Sequence, residues 1–61
     1  MIEKIYQHFR VIDIKFFEKE TIYYIELPNG DGEAKICVPY PEVRMYGNKA
    51  SVIAKYEHLL K

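Results

Sequence analysis

A chain of 61 residues with nine basic and nine acidic side chains has room for one domain and carries no net charge. Its single cysteine, Cys37, excludes an internal disulfide and points to a reducing compartment, with the cytoplasm as the default expectation. Neutrality argues against a phosphate-driven nucleic-acid binder and equally against a wholly acidic DNA mimic.

Residues 2–9 place apolar side chains at Ile2, Ile5, Tyr6 and Phe9, a spacing that suits one face of a short helix. An extended lead-in to the first strand is the other reading, because two turns of helix are marginal alone. In residues 10–17, Ile12, Ile14 and Phe16 alternate with Asp13 and Lys15, the period of a half-buried strand. The polar run Glu18-Lys19-Glu20-Thr21 then makes a hairpin connection.

Residues 22–27, Ile-Tyr-Tyr-Ile-Glu-Leu, are β-branched and aromatic and read as a second strand. Pro28-Asn29-Gly30-Asp31-Gly32 follows as a turn, since Asn and Gly tolerate the positive φ of tight connections. A third strand spans 33–38, with Ala34, Ile36 and Val38 on one side and Glu33, Lys35 and Cys37 on a wet side. Pro39-Tyr40-Pro41 ends the sheet, because proline cannot donate to a ladder. Residues 42–46 are a short extended segment or an edge strand. Asn48 is a favoured N-cap for a helix whose stripe is Val52, Ile53, Tyr56, Leu59 and Leu60.

The expected fold is therefore α+β: one domain, a three-stranded antiparallel β-meander with a C-terminal helix packed on one face and, in one of the two readings of residues 2–9, a short N-terminal helix. The second strand is apolar on both sides. Tyr23, Ile25 and Leu27 point one way, and Ile22 and Tyr24 the other, joined by Phe17 and Val11. Such a strand leaves a patch that needs cover. Either residues 2–9 fold back over it or a second chain covers it. A core this small supplies only ~3–5 kcal/mol and commonly recruits a second subunit. That favours a homodimer with Ile22, Tyr24 and Phe17 at its interface.

Catalytic chemistry finds little to stand on. A nucleophile needs a base in reach and a group to orient it, and Cys37 and Ser51 sit in no such motif. His8 and His58 lack ligand spacing. Asn29-Gly30-Asp31-Gly32-Glu33 offers too few oxygens for calcium, and no glycine-rich phosphate loop follows a strand. No enzyme activity, metal or cofactor is expected. No apolar run approaches the ~20 residues of a membrane span, and the start does not resemble a signal peptide.

Nine aromatic residues, six of them tyrosine, favour an interaction surface. Tyr40 and Tyr46 flank a segment stiffened by Pro39, Pro41 and Gly47, with Glu42 between them. They either form a docking edge or pack the helix onto the sheet.

The stretch Met45-Tyr46-Gly47-Asn48-Lys49-Ala50-Ser51-Val52-Ile53 resembles the opening of the C-terminal helix in the small uracil-DNA glycosylase inhibitors of certain Bacillus podophages. The shared positions are Tyr46, Gly47, Asn48, Ala50, Ile53 and Lys55, and Tyr23-Tyr24 resembles a pair in that family's second strand. The resemblance implies a homodimer that binds the DNA-contacting groove of the host enzyme, by DNA mimicry and an apolar pocket for one of its aromatic side chains. Tyr46 takes the place of the functional tyrosine and Glu42 lies near that of the functional glutamate. The family is acidic, whereas this chain is neutral, and the connection through residues 28–41 is longer here.

The leading expectation is thus a phage-type inhibitor of host uracil-DNA glycosylase, with Tyr40, Glu42, Val43, Tyr46 and Glu26 at the partner surface. Two others stand beside it: a small regulatory or nucleic-acid-binding module using an aromatic sheet face, and a piece of a larger assembly.

Overall fold

The computed structural model of the protein describes residues 2–39 and 42–60, apart from the side chain of Ile2. The chain opens with helix α1 (Ile2–His8) and continues through strands β1 (Arg10–Phe16), β2 (Thr21–Glu26), β3 (Glu33–Val38) and β4 (Arg44–Gly47). It closes with helix α2 (Ala50–Glu57) and a single 3-10 turn, His58–Leu60. The class is α+β as expected, but the antiparallel sheet has four strands in the order β1-β2-β3-β4, not three. The added strand is the segment whose sequence left a choice between an extended stretch and an edge strand.

The even choice over residues 2–9 falls to the helix, and packing explains why. Ile5 and Phe9 lie four residues apart, both are buried, and the Phe9 N–H donates to the Ile5 carbonyl at 2.9 Å. Phe9 meets Tyr56 edge-on at 6.1 Å between ring centres, and Tyr6 meets Tyr23 in the same way at 6.3 Å. Seven residues of helix are marginal in water; these contacts supply what propensity lacks.

One face of the sheet carries the core. Tyr23, Ile25, Ala34, Ile36 and Met45 are buried there together with Leu27, under Ile5 of α1, Phe9 just after it, and Tyr56 and Leu60 of the C-terminal helical segment. Both helices therefore cover the same face. Residues 2–9, one of the two covers open for the second apolar face and not the favoured one, do not lie over it: α1 joins α2 on the first. At Gly47 the fit is close, since an added Cβ would fall 2.6 Å from Ile53 Cδ1.

Strand β1 departs from simple alternation. Val11 pairs with Ile25 and Asp13 with Tyr24, so the register shifts between them and Ile12 is the extra residue. An inserted residue reverses the facing of everything beyond it. Val11 accordingly joins Ile14 against the core and not the opposite face, while Ile12 is left half exposed.

The turn after β2 forms as its residues demand. Pro28–Gly30 makes a 3-10 turn, with Asn29 at φ 60°, Gly30 at 71° and Gly32 at 97°. Two other expectations change. Lys49, not Asn48, holds the N-cap of α2, its carbonyl accepting the Ile53 N–H at 3.1 Å with no side-chain cap. Cys37 faces away from the helices but is only 8% exposed, so its side of β3 is not uniformly wet. Among the described residues no helix is long and apolar enough to cross a membrane.

Candidate functional site

The face of the sheet opposite the helices is laid out by strand register. One row runs Asp13, Tyr24, Lys35, Tyr46 across the four strands. The next runs Lys15, Ile22, Cys37, Arg44, and towards the other end Arg10, Glu26 and Glu33 stand side by side. Aromatic, cationic and anionic groups thus share one surface, although the strands that bring them differ widely in position along the chain.

A shallow groove of about 370 Å³ is bounded by Tyr24, Glu33, Lys35, Tyr46 and Asn48. Tyr24 and Tyr46 stand one strand to either side of Lys35. Tyr46 is 45% exposed, which leaves ring surface open to a partner, with its hydroxyl beside the Arg44 guanidinium. Lys15 adds a cation 5.5 Å from the centre of the Tyr24 ring, a favourable use of the ring's negative face. Glu26 and Glu33 are directly opposed and both exposed. Like charges facing across a strand pair oppose each other, so that corner of the sheet carries an uncompensated demand for a cation beyond what Arg10 provides.

The expected site residues fall into separate places. Tyr46 and Glu26 lie on the open face. Glu42 is exposed, but its carboxylate accepts a hydrogen bond from the Arg44 guanidinium at 3.1 Å. That bond, with a smaller contribution from Tyr46, pushes the Arg44 pKa up and holds the pair together. Val43 is half-buried and packs against the core. Tyr40 lies outside the described residues. Of the residues expected at a dimer interface, Ile22 and Tyr24 are half-buried in the open face. The Phe17 N–H donates to the Glu20 carbonyl at 2.8 Å, extending the β1–β2 ladder by one pair, and alternation from Lys15 carries Phe17 to the same face.

Lys35 and Arg44 belong to this surface without having been singled out by the sequence, whereas Glu33 is read there, with Glu42 and Glu26, as a source of local negative charge. Alternation within β3 does put Lys35 and Glu33 opposite Ile36, but nothing local pairs Lys35 with Tyr24 and Tyr46. The Cys37 thiol is pushed above its ordinary pKa of 9.0, first by burial and then by the charge of Glu20, with Lys35 acting the other way. Such a thiol is a poor nucleophile at neutral pH. Among the described residues no group of three or more His, Cys, Asp or Glu side chains could hold a metal ion. Asp31, in the loop with a faint calcium-site pattern, instead accepts a hydrogen bond from the Tyr56 hydroxyl.

No protein family, curated protein or solved structure matches this chain. The functional reading therefore rests on the surface itself and on the short resemblance around Tyr46.

Proposed function

We propose that the protein is a non-catalytic binding protein that docks on a protein partner through the open face of its sheet, and that this partner is a uracil-DNA glycosylase, which it inhibits by occlusion. The observation that carries the reading is the row Tyr24–Lys35–Tyr46 around a groove on an uncovered sheet. Tyrosine supplies large buried area with a polar tip, and such residues commonly dominate binding energy. The enzyme is suggested by the resemblance at Tyr46-Gly47-Asn48.

The acidic part of the mimicry is reassigned within this proposal. Glu42 is already engaged by Arg44, so the opposed carboxylates Glu26 and Glu33 stand in for DNA phosphates. Carboxylates accept the same charge-assisted hydrogen bonds from a basic groove, and local placement supplies a negative corner despite zero net charge.

The test is uracil excision by purified glycosylase with stoichiometric protein, followed by gel filtration of the mixture. Inhibition with a stable complex, lost in Tyr46→Ala and weakened in Glu33→Gln, is the expected result. Unchanged excision without a complex removes the glycosylase.

One observation favours a second reading. Lys15, Lys35 and Arg44 share the face with Tyr24 and Tyr46, and aromatic platforms beside cations also bind single-stranded nucleic acid. Asp13, Glu26 and Glu33 interleave with those cations and oppose a phosphate backbone. Titration of a labelled single strand distinguishes the two readings, since only the nucleic-acid module binds it.

A further inference from the structure

The two edges of the sheet are built differently. Strand β4 has four residues, and the Met45 N–H is met by the Glu57 carboxylate of α2 at 3.4 Å. That edge is short and capped from above. Strand β1 has seven residues, and three large apolar side chains are exposed on it or just past it: Ile12 at 50%, Phe16 at 78% and Phe17 at 54%. Natural edges are usually blunted by short length, charge or bulges. Here the register shift at Ile12 interrupts the first half, while the stretch from Asp13 to Phe17 continues regularly and carries two exposed charges of opposite sign, Asp13 and Lys15.

We propose that β1 pairs antiparallel with β1 of a second copy of this chain, about a two-fold axis at Ile14. The backbone permits it. The Ile14 N–H donates to the carboxylate of neighbouring Asp13 at 2.8 Å, which shows that it points away from β2 and is held only by an exposed local bond. In an antiparallel pair, residues whose backbone groups point outward must face one another. With Ile14 opposite the partner's Ile14, that condition holds.

Charge selects this register. A two-fold axis at Ile14 sets Asp13 opposite the partner's Lys15, and Lys15 opposite the partner's Asp13. Moving the axis to Asp13 sets two carboxylates face to face, and moving it to Lys15 sets two ammonium groups face to face. Opposite charges across a strand pair attract and like charges repel, so of these three axes the one at Ile14 is self-complementary. The same axis brings Ile12 and Phe16 to the ends of the joint, where each gains apolar cover. A symmetric pair of this kind is the commonest oligomer. It also leaves the groove at Tyr24 and Tyr46 free, so it stands independently of the proposed function.

Sedimentation equilibrium of the full chain tests the pairing. The expected result is a concentration-dependent dimer. Asp13→Lys or Lys15→Asp turns both attractive pairs into repulsive ones and weakens dimerisation about tenfold or more. The double variant, Asp13→Lys with Lys15→Asp, reverses both signs and restores affinity to within about threefold. Both side chains are exposed, and far-UV circular dichroism reports whether each variant keeps its fold. A second readout uses the unaltered protein: amide exchange at Ile14 slows as concentration rises. A monomer at all concentrations, single variants that dimerise like the parent, a double variant that fails to recover, or Ile14 exchange independent of concentration would each overturn the pairing.

Discussion

Replacing Tyr56 by phenylalanine removes one oxygen from the place where α2 is tied to the turn after β2. The ring is buried against Phe9, and its hydroxyl donates to the Asp31 carboxylate and lies 3.4 Å from the Pro28 carbonyl oxygen, while Lys55 Nζ stands 3.8 Å from the same carboxylate. A hydrogen bond to a charged group contributes roughly 1.5–3 kcal/mol. Asp31 is open to water and keeps Lys55, so the loss is expected at the lower end, about 1–2 kcal/mol. A domain of this length has about 3–9 kcal/mol in total, which makes that a large share. Urea denaturation should show the loss directly, and the melting temperature should fall by roughly 4–16 °C. A double-mutant cycle with Asp31→Asn isolates the pair, with an expected coupling of about 1 kcal/mol. Tyr56→Phe within about 0.3 kcal/mol of the parent, or a coupling near zero, would refute the view that this bond anchors the helix.

The other expectations concern the core, the thiol and the open face. Ile36→Ala empties a fully buried site at a cost of ~2–5 kcal/mol, a large share of the total of about 3–9 kcal/mol, so this variant should melt far below the parent; a thermal melt within a few degrees of the parent would contradict the packing. Cys37 should react with a thiol reagent far more slowly in the native protein than in urea, and equal rates would mean that it is not buried. Because burial raises its pKa from 9.0, the unfolded chain loses that proton first. Its stabilising contribution is therefore complete below pH 9 and is lost as the pH rises through the folded value. The fall in melting temperature between pH 8 and pH 10 should accordingly be smaller in Cys37→Ala. Tyr46→Ala, at an exposed position, should change stability by no more than about 0.5 kcal/mol while abolishing binding to the partner; a large loss of stability would make Tyr46 a structural residue.

Local rules accounted for most of the elements. Alternation at Ala34, Ile36 and Val38 marked β3, the stripe through Tyr56 and Leu60 marked the C-terminal helix, and Asn29 with its glycines marked the turn. Each depends only on residues a few positions apart, because side-chain direction follows backbone period. Helix α1 was legible as one of two options, since its apolar spacing was clear but its stability comes from Tyr23 and Tyr56, distant in sequence. The cap of α2 was misplaced by one residue, as Lys49 closes the helix with its carbonyl alone.

What the sequence determined by itself was the α+β class, the chief turn and the apolar residues of β2 and β3. Tertiary structure decided the fourth strand, the extra residue at Ile12, the shared face of both helices and the row of Tyr24, Lys35 and Tyr46. The reason is physical: alternation says that a side chain has two faces to choose between, but only the pairing of strands says what stands beside it. One inserted residue in β1 was enough to move Val11 from the open face to the core, and no periodicity within the strand records that choice.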